Sequence, residues 1–344
     1  MGQYNAKWLI RSAAALGLLL LLGIVYLSFG WGLAKAKVEA SYRLIGYWTE
    51  AGGQQFREPF GIAVDMRNGN VVLTDAKACR VVVFSESGEV LLSFGSQGDG
   101  PGQFENPTGV AVALDGSIYV ADYDLDRIQK FSESGEFLLA WGSAGSSNEQ
   151  FDSPNGIAVD AGGNVYVADF FNKAIKVFDA KGSFLRTLGE PGQFGAGRLD
   201  YPTDVEVAQD GTVLVADAYN YRIQRFDARG LPRASWGRHM FRVLPRPAGG
   251  PQGFNVPTGV SFGPNKKFIH VADSGNGRVV MLDEEGGFVT DWTIREEGNG
   301  YHAPVAVATS PDGRRVYLTD IANQRVIVLE VESEKEKSNE ATES

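Results

Sequence analysis

The chain is poor in the side chains that most often carry chemistry. It has one cysteine, Cys79, and only three histidines, His239, His270 and His302. A lone thiol cannot form an intrachain disulfide, so cysteine usage says nothing about the redox compartment, and a cysteine-based metal site is excluded. Positive charge is in deficit. Lys and Arg number 32 against 42 Asp and Glu, a net charge of −10, and the pI is near 5.0. An acidic domain repels phosphate backbones, which argues against nucleic acid as a partner. There is no GxSxG elbow, no P-loop and no HExxH zinc motif. Beyond residue 40 no helical periodicity of useful length occurs.

What is present suits a globular protein with a sizeable core: 43% hydrophobic and 22% charged residues, with 43 glycines that recur at turns. One uncharged run stands apart. Residues 12–34 read SAAALGLLLLLGIVYLSFGWGLA, 23 residues without a charge. As a helix this run is long enough for a hydrocarbon core of about 30 Å. Lys7, Arg11 and Trp8 precede it, Lys35 and Lys37 follow it, and Tyr26, Phe29 and Trp31 sit toward its far end as interfacial anchors. The run predicts a single-pass membrane helix between a short tail (1–11) and a linker (35–41). A cleaved signal peptide ending at Ala34-Lys35-Ala36 is the rival reading, but the apolar run exceeds the ~7–15 residues of a typical signal core. The expected arrangement has the tail inside and the rest of the chain outside the cytoplasm.

The remainder is organised by a repeat. Six phrases begin with proline and continue with alternating apolar positions, at Pro59, Pro107, Pro154, Pro202, Pro257 and Pro304, spaced 48, 47, 48, 55 and 47 residues apart. Each is followed by a strand-like run ending in aspartate, at Asp75, Asp122, Asp169, Asp217, Asp273 and Asp320. Arginine follows five residues later at Arg80, Arg127, Arg222, Arg278 and Arg325; the third repeat has Ala174 there, beside Lys173. Third and fourth apolar runs complete each unit. Period-two alternation rich in Val, Ile, Tyr and Phe marks strands, and four strands per unit predict one propeller blade.

The pattern P-x-G-[IV]-A-V, [IV]-Y-V-A-D, x4-R-[IV] resembles the NHL repeat family across about residues 42–331. The resemblance implies an all-β, six-bladed β-propeller, a fold that hosts many activities. NHL propellers commonly serve as interaction platforms, so a binding or scaffold module for a protein, peptide or glycan partner is the leading expectation. Blade four, with Pro202-Thr203-Asp204-Val205 and then Val215 to Arg222, also resembles the peptidyl-hydroxyglycine amidating lyases. That resemblance implies a metal-dependent lyase as the alternative, with Tyr219 and Arg222 as ligand contacts. Where that family would place a zinc-binding histidine after Pro257, this chain has Thr258.

The phase of the repeat predicts how the ring closes. Residues 42–48 match a fourth strand and 325–329 a third, so the N-terminal strand should complete the last blade and remove two open edges. Residues 332–344 lack apolar periodicity and read as a disordered acidic tail. Because the strands are antiparallel, the Asp-x4-Arg turns and the links between blades share one end of the propeller, the expected loop face for a partner. The link from Gly237 to Gly253 is longest and carries Arg238, His239, Arg242 and Arg246 with Met240 and Phe241, a basic and apolar patch on an acidic protein.

Residues present in every blade read as structural: Asp and Arg at the turns, and the aromatics three before the proline (Phe56, Phe104, Phe151, Phe254, Tyr301). Departures from the repeat are more informative. Asp204 and Glu206 occupy first-strand positions that elsewhere hold Gly or Ala, and Ala or Ser. Two residues apart on a strand, they share a side near the central channel. They could contact a ligand or metal, or pair with an arginine between blades. The three histidines do not share a repeat position and show no ligand spacing. No cofactor is expected, zinc or calcium being the metals these side chains would admit.

Overall fold

The computed structural model describes residues 40–237, 253–294 and 303–333. Among them are six four-stranded antiparallel sheets, one per proline-led repeat. The first strands are Pro59–Val64, Pro107–Val112, Pro154–Val159, Pro202–Val207, Pro257–Phe262 and Pro304–Thr309. Each touches the first strand of the next blade, and the sixth returns to the first. The ring therefore closes around a channel lined by these six strands. Among the described residues no helix is long and apolar enough to cross a membrane; the span expected at 12–34 lies outside them.

Closure follows the predicted phase. Ala40–Trp48 pairs antiparallel with Arg325–Ser333, with Leu44 opposite Leu329 and Trp48 opposite Val326. Both strands run further than the apolar pattern suggested, beginning at Ala40 and ending at Ser333. The extension is polar. Arg43 bonds Glu330 and Glu332 across the strands, on either side of the Tyr42–Val331 pair, so ion pairing flanks the last apolar pair of the ladder.

The core lies between the blades. Successive first-strand residues point alternately to the preceding and the following blade, as in the cluster of Val72, Val81, Phe104, Val110 and Phe131 between blades one and two. The aromatics three before the proline are buried as expected: Phe56, Phe104, Phe151 and Phe254 are all at most 1% exposed. Leu199 takes that place in blade four, and Tyr301 lies outside the described residues.

At the proline end the first strands crowd together. Thr108 Oγ1 donates to Pro154 O at 3.2 Å, Thr203 Oγ1 to Pro257 O at 3.2 Å, and Thr319 Oγ1 to Phe60 O at 2.7 Å. The close approach explains the glycine two residues after the proline. A Cβ on Gly109 would overlap the carbonyl oxygen of Asn155 in the next blade. Gly109→Ala should therefore lower stability by about 1–3 kcal/mol or more, the usual cost of overpacking against backbone. Thermal unfolding checks this; an unchanged midpoint would mean the inner strands are less tightly apposed.

Candidate functional site

The repeated aspartates are structural. Each closes the turn at the end of its second strand. Asp217 Oδ1 accepts the Asp200 N–H at 2.7 Å, and its other oxygen accepts Arg222 Nε at 2.7 Å and Gln224 Nε2 at 2.9 Å. Asp75–Arg80, Asp273–Arg278 and Asp320–Arg325 repeat the ion pair at 2.8–3.0 Å. Two blades differ from the expected pairing. In blade two Arg127 donates instead to the carbonyls of Asp99, Gly100 and Gln103. In blade three Lys176, two residues beyond Ala174, pairs with Asp169 at 2.8 Å, while Lys173 pairs with Asp200. Arg222 is thus occupied by Asp217 and by the carbonyls of Gly195 and Arg198. These bonds make it a clamp on the turn. Tyr219 is a different case, being 49% exposed on the same turn.

The central channel widens into a chamber of about 550 Å³. Its wall includes Met66, Leu114, Gln209 and Lys266, which follow the first strands. The chamber therefore opens at the end carrying the turns between first and second strands, opposite the expected loop face. At mid-height five blades contribute small residues, Ala63, Ala111, Ala158, Ser261 and Ala308, and blade four contributes Glu206. One step nearer the prolines the ring is Gly61, Gly109, Gly156, Asp204, Gly259 and Ala306. A Cβ on Gly156 would overlap the Asp204 side chain, so that glycine makes room for the carboxylate.

Four acidic side chains line this chamber, and two are paired. Asp65 bonds Arg67 at 2.6 Å. Lys266, the one basic residue on the described lining, is ion-paired with Asp210. Asp204 and Glu206 face the same way and have no ion pair among the described residues. Asp204 accepts the backbone N–H of Val205 and, across the blade boundary, that of Val260, both at 2.9 Å. Among the described residues no arginine pairs with it between the blades: blade five presents the Val260 N–H at this height. Glu206 makes no hydrogen bond or ion pair among the described residues.

Burial in a channel of small apolar residues disfavours both charges. It pushes the Asp204 carboxyl up to about 7, the two backbone donors opposing the rise. It pushes Glu206 up to about 8, with the negative charge of Asp204 adding to the effect. Both side chains keep some accessible surface because the channel admits water, so screening is partial.

No group of three His, Cys, Asp or Glu side chains among the described residues converges as a metal site. His270 sits between blades five and six, 1% exposed, with Nδ1 at 2.7 Å from the Tyr42 hydroxyl. Burial lowers its pKa to about 3, so it is a neutral packing residue. Arg238, His239, Arg242, Arg246 and His302 lie outside the described residues.

Sequence reasoning missed a feature at the loop end. Tyr123, Phe170, Phe171 and Tyr201 join Tyr219 in one aromatic cluster across blades two to four. A signal was present: Tyr123 and Phe170 directly follow the repeated aspartate, where blades one, four and five have Ala76, Ala218 and Ser274.

The model of the NHL repeat matches residues 151–178 and 199–226, the first three strands of blades three and four. No curated protein matches the chain in sequence. Among solved structures the chain is similar to hydrazine synthase of Kuenenia stuttgartiensis, with a TM-score of 0.54 and 17% identity over 83% of this chain and 99% of that one. It is also similar to a streptogramin B lyase (TM-score 0.57, 14% identity, 87% and 100%). A third match is a catalytically inactive virginiamycin B lyase of Staphylococcus aureus with quinupristin (TM-score 0.56, 15% identity, 84% and 99%). At these identities the likeness establishes the fold alone, a six-bladed β-propeller, and the NHL repeats rest on the match in blades three and four.

Proposed function

We propose that this chain is a ligand-binding propeller whose site is the channel chamber, and that its ligand is a small molecule with a protonated amine on an apolar body. One observation carries the reading: Asp204 and Glu206 face a chamber of about 550 Å³ with no compensating cation among the described residues, while the other two acids on its lining are ion-paired. A buried uncompensated carboxylate costs stability unless something pairs with it. A bound ammonium would supply the missing charge, and the Val, Ile and Ala wall would take the apolar body. The 23 uncharged residues at 12–34 support a membrane tether for this module. The lyase alternative draws less support. His270 is closed off by Tyr42, and the Thr258 hydroxyl is committed to Ser274 and to Val305 O at 2.7 Å.

Calorimetric titration with phenethylamine, against the isosteric but neutral 2-phenylethanol, tests the proposal. The amine should bind more tightly than the alcohol. Asp204→Asn with Glu206→Gln should weaken the amine tenfold or more and leave the alcohol unchanged. Equal affinities for the two probes would sink the reading.

A further inference from the structure

At the end of the propeller opposite the chamber mouth, five aromatic side chains make one surface. Phe170 is central, with ring centroids 5.0 Å from Phe171, 5.1 Å from Tyr201, and 6.4 Å from both Tyr123 and Tyr219. Tyr201 and Tyr219 are 4.9 Å apart. Rings this close touch one another, so they form a platform and leave no gap for a cation to be caged between them. Phe171 and Tyr219 are 48% and 49% exposed. Turn residues are normally polar, whereas three blades have placed rings there. An exposed apolar patch of this kind marks an interaction surface.

The edge of the platform is acidic. Asp124 follows Tyr123, and the Phe171 N–H donates to the backbone oxygen of Asp152 at 3.1 Å, so both residues border the rings. Asp126 lies with them: burial, then the charges of Asp152 and Asp124, push its carboxyl up. Asp126 is partly satisfied by the Ser153 N–H at 2.7 Å. The Asp124 and Asp152 side chains are exposed and have no ion pair among the described residues. Lys173 is ion-paired with Asp200 and lies over the Tyr201 ring, 4.1 Å from its centroid. The chain itself thus uses a platform ring to hold a cation.

We propose that this platform docks an arginine-bearing peptide segment of a partner protein. A guanidinium is planar and weakly hydrated, stacks on ring faces, and can bond a carboxylate at the same time. The rings provide the faces and Asp124 and Asp152 the carboxylates. The net charge of −10 on the whole chain favours approach of a basic segment. A neutral glycan would also stack on the rings but would gain nothing from the rim charge. The site is independent of the channel chamber and lies at the other end of the fold.

The test is binding of a hexa-arginine peptide to the full-length chain at low and high salt, with hexa-lysine and chitohexaose as comparison probes. Hexa-arginine should bind several-fold more tightly than hexa-lysine and weaken as salt rises. Phe171→Ser with Tyr219→Ser should weaken it tenfold or more, although this change leaves net charge untouched. Asp124→Asn with Asp152→Asn, both on exposed side chains that packing does not need, should do the same. Asp204→Asn with Glu206→Gln should leave hexa-arginine binding unchanged, which keeps this site separate from the chamber. No binding of hexa-arginine would overturn the proposal. So would equal affinity in the ring variant, since binding would then be net-charge attraction. Salt-independent, ring-dependent capture of chitohexaose in its place would assign the platform to glycans.

Discussion

Asp204→Asn combined with Glu206→Gln is expected to stabilise the propeller at pH 8 and to change little at pH 4. Burial raises both carboxyls in the folded chain, to about 7 and about 8, whereas the unfolded chain titrates them near 4. Between these values the native state binds more protons than the unfolded state, so stability falls as pH rises from about 4 to about 8 and stays reduced above. At about 1.4 kcal/mol per pH unit, discounted for water in the channel, the two groups destabilise the native state at pH 8 by roughly 2–4 kcal/mol. Neutral isosteres remove that penalty, and the amide oxygen introduced by Asp204→Asn can still accept the Val260 N–H. Melting curves at the two pH values check it. A gain of the same size at both would point to packing, and no gain at pH 8 would mean the carboxylates are compensated.

Asp217→Ala should produce the largest loss. The carboxylate is fully buried and holds the Asp200 N–H, Asn220, Arg222 and Gln224 together. Removing it leaves the Arg222 guanidinium without its buried counter-charge and the Asp200 N–H without its acceptor, the carbonyls of Gly195 and Arg198 still holding the guanidinium, which costs about 3–5 kcal/mol. Asp122→Ala in blade two is the internal control. Asp122 accepts the N–H groups of Glu105 and Asn106, but Arg127 is held by carbonyls rather than by it. Its removal leaves backbone donors and no buried charge, at about 1–3 kcal/mol. Urea unfolding of the two variants should rank them in that order; a loss below about 1 kcal/mol for Asp217→Ala would contradict the clamp.

The fold was legible because every blade repeats the same alternation, and the phase of the first and last strands states how the ring closes. Turn chemistry was legible for the same reason. Individual pairings were not. Lys176 rather than Lys173 answers Asp169, because residue 176 lies on the third strand where its side chain reaches back across the sheet. The surroundings of Asp204 depend on what the neighbouring blades present at that height, Gly156 on one side and the Val260 N–H on the other, each a whole blade away along the chain. The platform rings are scattered from 123 to 219 and meet only through the curvature of the ring. Which end of the channel opens could not be read from spacing, since it depends on how far side chains at six strand ends reach inward.

On this reading the chamber's two carboxylates together hold about one proton near neutral pH when empty, mainly on Glu206, and give it up when a cationic ligand binds. Calorimetry of phenethylamine binding at pH 7.5, repeated in buffers of different ionisation enthalpy, measures this directly. The expected result is release of about one proton per ligand bound, abolished by Asp204→Asn with Glu206→Gln. Binding with no proton release, or release that persists in the double variant, would contradict it.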